Sequence, residues 1–333
     1  METVRLGIIG CGGMGRYHGR RIIQTVPEAE IVALADPNAD NLAQFITEVF
    51  PQGKQPEATF ADYRAMLEAV ELDGVIIISP HAHHFQQVMD SIDAGCHVLV
   101  EKPMVTRTED AQAMIAHGRK HDRIISVAFP GPFTREFTYI REVIARGELG
   151  EIYLVTGVCA QDWISNVRGT WRTELALSGG GNLYDSGAHM FNAMLYLTGL
   201  SVTDVFAFID NKDQEVDMIA SVALRFTKGA LGTATVSGDA TVMEQGIYIQ
   251  GTKGSIKTSI YGGELEHWNG KERVKYPVVP ITTTLQQNFV DCIKGRDTTP
   301  SPPILGLRQA RLMDAIYESA RRGSMIRVMT DEE

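Results

Sequence analysis

The chain has 333 residues, 44% hydrophobic and 22% charged, a globular composition long enough for about two domains. A net charge of −10 without a dense Lys/Arg cluster argues against a nucleic-acid surface, because phosphate backbones require grouped cations. No apolar run approaches the ~18 residues of a membrane span, no secretory signal pattern opens the chain, and Cys11, Cys96, Cys159 and Cys292 are far apart, so a reducing cytoplasm is the expected location.

The first apolar run, Val4–Ile9, leads directly into G-x-G-x-x-G at Gly10, Gly12 and Gly15, with Gly13 and Met14 inside the loop and a helical pattern after it. Gly10 suits a tight turn, Gly12 lets backbone approach a pyrophosphate, and Gly15 allows close packing of helix on strand. The helix start offers N–H groups and a positive dipole end to phosphates. The next apolar run, Ile31–Ala35, ends at Asp36, about twenty residues past the loop, where a carboxylate accepts from ribose hydroxyls. Such a carboxylate repels a 2′-phosphate, so NAD is expected rather than NADP.

Apolar runs continue at Ala58–Phe60, Val75–Ile78, His97–Val100 and Ile124–Val127, separated by helical patterns such as Phe85, Val88, Met89 and Ile92. Alternation of this kind predicts an α/β doubly wound parallel sheet over residues 1–128. After Phe129-Pro130-Gly131-Pro132 a helix over about 135–146 ends at Gly147. Longer strand patterns follow at Ile152–Ala160, Val202–Ile209, Ile219–Phe226, Ala230–Val236 and Gln245–Ile249, with helices near 284–294 and 305–322. These predict a second α/β domain, 129–333, with a large and mostly antiparallel sheet.

Ligands bind such parallel sheets at the carboxyl ends of the strands. Those ends carry the glycine loop, Asp36, Ser79-Pro80-His81 and Glu101-Lys102-Pro103, and the last places a cation beside the expected nicotinamide crevice. In the second domain, Asp185 and His189 stand four apart on one helix face, continued by Asn192 and Tyr196, on an otherwise apolar helix. An internal polar network, a metal pair and a substrate-facing edge are all open for that stripe. Asp162-Trp163 and Trp171-Arg172 add a stacking surface and a cation for a substrate, or else packing and surface charge.

The loop, Ser79-Pro80-His81 with His84, Glu101-Lys102-Pro103, and Gly179-Gly180-Gly181 followed by Asp185 and His189 together resemble the Gfo/Idh/MocA oxidoreductase family over essentially the whole chain. The resemblance implies a Rossmann domain, a sheet-bearing second domain, and hydride exchange between NAD(P) and a hydroxyl of a sugar, cyclitol or related polyol. It implies Lys102, Asp185 and His189 as catalytic residues. It places cofactor at Gly10, Gly12, Gly13, Met14, Gly15, Asp36, Ser79, Pro80, His81, His84, Glu101 and Lys102, and substrate at Lys102, Trp171, Arg172, Asp185 and His189. No metal is expected. Whether His189 or Lys102 is the base stays open.

Three departures from the family pattern leave the substrate open: Ser79-Pro80-His81 stands for Thr-Pro-Asn, prolines and glycine occupy 130–132, and Asn192 replaces a frequent Asp. Two rival functions share the fold: an enzyme that recycles a bound cofactor, such as an epimerase or glycosidic-bond-cleaving enzyme, and a non-catalytic NAD-sensing regulator. The alternating run from Gly229 to Gly238, together with the resemblance, predicts a homodimer or homotetramer.

Overall fold

The computed structural model describes residues 3–51, 53–277, 280–281 and 283–331; the outer limits 1 and 333 of the two expected domains lie outside them. The chain divides into two compact units. The first comprises Met1–Val105, Glu109–Ala128 and Thr283–Ile304, and the second Thr106–Thr108, Phe129–Thr282 and Leu305–Glu333.

The first unit holds six strands: β1 (Val4–Ile9), β2 (Ala29–Ala35), β3 (Ala58–Phe60), β4 (Gly74–Ile77), β5 (His97–Val100) and β6 (Ile125–Val127). They pair in parallel in the order β3-β2-β1-β4-β5-β6, a doubly wound sheet whose order reverses between β1 and β4. The strands are short apolar runs because helices cover both faces, and Leu6, Ile8, Ile76 and Leu99 are fully buried. The connecting helices are α1 (Gly13–Thr25), α2 (Ala39–Val49), α3 (Tyr63–Ala69), α4 (His84–Asp93) and α5 (Thr108–Lys120). Asn38 and Asp62 cap α2 and α3 by accepting from the backbone N–H groups of Asp40 and Arg64.

A helix from the far end of the chain, Leu285–Ile293, completes this unit, although the two-part division by sequence places it in the second. Its Phe289 and Val290 pack into the same core as Leu6, Ile76 and Leu99. Glu28, just before β2, fastens the returning segment by accepting from Lys294 Nζ at 3.2 Å and Arg296 Nη1 at 3.0 Å.

The second unit carries nine strands: β7 (Ile152–Ala160), β8 (Val202–Asp210), β9 (Ile219–Phe226), β10 (Leu231–Ser237), β11 (Glu244–Gly251), β12 (Gly254–Thr258), β13 (Leu265–Asn269), β14 (Glu272–Val274) and β15 (Ile326–Arg327). Their order is β14-β13-β12-β11-β7-β10-β9-β8-β15. All neighbours are antiparallel except β7 and β10, which run parallel, so the sheet is mixed although mostly antiparallel as expected. The long connection after β7 makes that parallel pairing feasible, since a hairpin could not. β9 and β10 alternate buried and exposed residues. Their inward set (Ala220, Val222, Leu224, Ala234, Val236) meets helix α6 (Arg135–Ala145) through Phe137 and Ile140 and the helix Pro303–Arg322 through Met313 and Ile316.

The guanidinium of Arg296 and the ammonium of Lys294 hold the Glu28 carboxyl down at about 2, against an ordinary value of 4.5. A depressed carboxyl stabilises the fold above its unfolded value and loses that contribution as pH falls through its folded value. The melting-temperature difference between wild type and Glu28→Gln should therefore be widest above about pH 4.5 and narrow as pH approaches 2. A pH-independent difference would assign the effect to packing rather than charge.

Candidate active site

The glycine loop is shaped by one close approach. Gly10 has φ +98°, and a Cβ on Gly15 would stand 2.2 Å from the Gly10 carbonyl oxygen, so only glycine lets α1 begin this near β1. A Cβ on Gly12 or Gly13 would meet nothing within 4 Å, which leaves the outer side of the loop clear for a ligand. No side chain caps α1 at Gly12, and the exposed Met14 lies in its first turn, so the helix start retains N–H groups for an anion. These residues fit a dinucleotide pyrophosphate.

Asp36 ends β2 almost fully buried. Its Oδ2 accepts from the Cys11 N–H at 2.8 Å, its Oδ1 from the Asn38 N–H at 2.8 Å, and Asn41 Nδ2 reaches both oxygens at 3.2–3.3 Å. The carboxylate thus holds the loop as well as the β2 end, a second duty that spacing alone does not reveal.

After β4, Ser79 Oγ donates to Gln87 Oε1 at 2.5 Å, and Pro80 leads into a single turn, His81–His83. His81 is buried edge-on to His84, their ring centroids 5.7 Å apart. The ring of His84 lies between two carbonyls, with Nδ1 2.9 Å from Pro103 O and Nε2 3.0 Å from Ser79 O. Burial pushes its pKa below the ordinary value, so the neutral ring donates to one of them. His84 therefore ties the Ser79 loop to the Pro103 loop, and both of its nitrogens are engaged with the backbone.

Glu101 follows β5 and is buried. Its Oε1 lies 2.9 Å from His18 Nε2, and its Oε2 accepts from the Lys102 N–H at 3.0 Å. Gln286 Nε2 donates to His18 Nδ1 at 3.0 Å, which leaves the His18 proton on Nε2, facing the carboxylate. A chain Gln286–His18–Glu101 thereby sets the backbone from which the half-buried Lys102 projects, and the Lys102–Pro103 bond is cis. Sequence reasoning missed His18 and Gln286. His18 sits three residues past Gly15 on the buried face of α1, which was the available signal, whereas Gln286 had none because it is 268 residues away.

In the second unit the short helices α7 (Trp163–Val167) and α8 (Leu175–Ser178) precede α9 (Ser186–Thr198). Gly179 ends α8 at φ +72°, and a Cβ on Gly181 would lie 2.0 Å from the Asp217 carbonyl oxygen. The buried Asp217 accepts from the N–H groups of Gly181 at 2.6 Å and Leu183 at 2.8 Å and from the Tyr317 hydroxyl, and so anchors the turn before α9. Burial raises its pKa against the lowering effect of those hydrogen bonds.

Asp185 occupies the N-cap position of α9. Its Oδ2 accepts from Trp163 Nε1–H at 2.7 Å and pairs with Arg172 Nε at 3.2 Å, and that guanidinium also lies over the Trp171 ring at 4.5 Å. His189, half-buried one turn along, meets the Tyr261 ring edge-on at 4.8 Å. Burial, and next Cys159 and Asp185, raise the Tyr261 pKa. The structure thus gathers Trp171, Arg172 and Asp185 in this unit, with His189 on the same helix face, while Lys102 and the cofactor-loop residues belong to the first unit. Trp163 is not a stacking platform, since it is buried with Ile164, Val167, Val216 and Met218. Asp162 is its helix cap, accepting from the Ser165 N–H.

A G-x-G-x-x-G loop on a doubly wound sheet in this strand order defines a dinucleotide-binding protein. Residues 4–129 match the model of an oxidoreductase family with an NAD-binding Rossmann fold, and residues 137–257 match the GFO/IDH/MocA C-terminal domain. The chain belongs to the GFO/IDH/MocA oxidoreductase family, and its first unit is an NAD-binding Rossmann domain. It is 32% identical to D-glucoside 3-dehydrogenase of Escherichia coli over 60% of this chain and 55% of that protein. Myo-inositol 2-dehydrogenase of Thermotoga maritima is 28% identical over 76% of this chain and 74% of its own length. The WlbA dehydrogenase of Bordetella pertussis, crystallised with NADH and UDP-GlcNAcA, has a TM-score of 0.86 at 25% identity, covering 99% of this chain and 100% of that one.

Trp163→Phe keeps an aromatic ring in the core but removes the donor to Asp185 together with the volume of the second indole ring. A hydrogen bond to a charged group is worth about 1.5–3 kcal/mol, so chemical denaturation should register a loss of at least that order with an unchanged m-value. No change would mean that water replaces the indole N–H without loss.

Proposed function

We propose that the protein is an NAD-dependent dehydrogenase acting on a secondary hydroxyl of a sugar, cyclitol or related polyol. The observation that carries this reading is the donor-held Asp185 one turn ahead of His189 on α9, in a chain whose Rossmann unit fixes Lys102 through Glu101. The D-glucoside and inositol dehydrogenases among its relatives support the substrate class. Asp36 at the end of β2 supports NAD over NADP.

Bound NAD supplies the hydride acceptor. His189 takes the hydroxyl proton, because an imidazole ordinarily changes charge near neutrality. Lys102, as an ammonium, donates to the developing alkoxide. Asp185, its direction set by the Trp163 and Arg172 donors, accepts from a neighbouring substrate hydroxyl, and Trp171 with Arg172 borders that position. The nicotinamide side draws on Ser79, Pro80, His81, His84 and Glu101, which shape the backbone around Lys102.

We also infer a homo-oligomer. The face of β8, β9 and β10 turned away from the helices exposes Phe208 at 68% and Leu231 at 54% among small side chains such as Ala223, Thr233 and Thr235, a face that a second copy can cover. Sedimentation should give a mass of two or four chains, and a monomer at micromolar concentration would refute this part.

Mixing the protein with NAD and a panel of aldoses, glycosides, inositols and sugar acids should raise absorbance at the NADH band, more weakly with NADP. Lys102→Met and His189→Asn should each lower kcat by about 10²–10⁴-fold while NADH binding persists. Silence across the panel with cofactor affinity intact would favour a nucleotide sensor, and a tightly bound cofactor that co-purifies reduced would favour a recycling enzyme.

A further inference from the structure

Away from the strand ends just described, the first unit carries a second group of chemistry-bearing side chains. His117 lies in the last turn of α5, and His121 follows it by four residues. The His121 N–H donates to the His117 carbonyl at 3.1 Å, so the helical turn continues and both rings share one face. Asp93, the last residue of α4, faces them. Its Oδ1 is 2.7 Å from His117 Nε2 and 3.9 Å from His121 Nε2, and the two rings lie 4.3 Å apart at 40°. Among the described residues this is the one place where three such ligand atoms fall within 4.8 Å of one another.

We propose that Asp93, His117 and His121 form a binding site for a divalent cation of the zinc type, holding the ends of α4 and α5 together. The donor set of two imidazoles and one carboxylate suits zinc, with solvent as the fourth ligand. Ligand atoms about 2.0–2.1 Å from a tetrahedral zinc are about 3.3 Å from each other. The observed 2.7 and 3.9 Å bracket that separation, so shifts of well under an ångström in each ring would admit the ion. Entry of the cation replaces the His117–Asp93 hydrogen bond by two metal–ligand bonds, with the ring proton of His117 carried on Nδ1 so that Nε2 is left as the ligand atom. The ends of α4 and α5 also present their carbonyls and the negative ends of their dipoles, which favour a cation.

The position argues for a structural ion. Crossover helices run back from the carboxyl ends of the strands, so the ends of α4 and α5 lie at the opposite edge of the parallel sheet from Gly10, Asp36, Ser79 and Lys102. Catalysis is not asked of this cation; it would cross-link two helices that otherwise share one hydrogen bond here.

The test uses tag-free, full-length protein freed of metal with chelator, titrated calorimetrically with zinc chloride. One saturable site per chain is expected, with a rise in melting temperature on zinc addition because only the folded state presents the ligands. Loss of even an outer-shell partner weakens metal sites about 10–100-fold, so Asp93→Asn and His121→Ala should each cost at least about tenfold in affinity. His83→Ala, on the turn after β4, should leave binding unchanged. His121 is partly exposed, so its variant should fold, and the metal-free melting curve verifies that. Cobalt(II) in place of zinc should give visible d–d bands that disappear in His121→Ala. The proposal fails if no saturable site is seen, if both ligand variants bind zinc as wild type does, or if His83→Ala alone abolishes binding.

Discussion

A Cβ on Gly15 would collide with the Gly10 carbonyl oxygen at 2.2 Å, and the geometry of the ligand edge of the parallel sheet depends on that missing atom. Because α1 can begin this close to β1, its first N–H groups lie at the switch between β1 and β4, where the strand order reverses. The same closeness requires the loop to be braced from the side. Asp36 provides that brace by accepting from Cys11 and Asn38, so the carboxylate expected at a ribose also holds the shape of the glycine turn. The desolvation cost of this buried charge is offset by several N–H donors.

Lys102 depends on a comparable arrangement further along the sheet. A lysine after a strand end would ordinarily wander over many rotamers, and its backbone here is set by Glu101, which His18 and Gln286 orient in turn. Gln286 arrives on the helix Leu285–Ile293, which Glu28 fastens through Lys294 and Arg296 and which Phe289 and Val290 seat in the core. The segment following the second sheet is thus a structural member of the cofactor unit. Removing it would unpin His18 and then Glu101, although neither the glycine loop nor β5 would have changed in sequence.

Much of this was legible in the residues alone, for definite reasons. β1, β5, β7 and β9 are long or uniformly apolar, their flanking glycines and polar residues mark clean ends, and the structure places them at the expected residues. β12, β13 and β14 went unread because strands of three to five residues with Lys, Glu, His and Trp interleaved carry no clear period. The parallel pairing of β7 with β10 is a fact of tertiary assembly that no local pattern encodes. In the site, Asp185 and His189 were visible because a four-residue spacing survives any helix. Their neighbours Asp217, Tyr317 and Tyr261 were not, since each reaches the region from a distant element. The choice between stacking and packing at Trp163 was not legible, because sequence shows an indole without showing that its ring is buried and its N–H directed to Asp185.

The polar stripe of α9 illustrates why those distant partners had to exist. A helix with Leu183 and Tyr184 before it and Phe191, Met194, Leu195 and Leu197 within it is buried almost all round, so a polar group along it needs a donor or acceptor close by. Asp185 stands where the helix dipole favours negative charge, and the indole N–H and guanidinium both face its carboxylate. Tyr196, near the other end, lies beneath Arg141 and against Phe137, and Arg141 also takes the Tyr196 carbonyl near the end of the helix. Anion at the start and cation at the end both follow the dipole, so the helix gains from its charges instead of merely tolerating them. His189 then lies one turn inside the favourable end, edge-on to the ring of Tyr261. A reversed order of the same residues along α9 would lose both gains and leave the carboxylate beside the helix carbonyls.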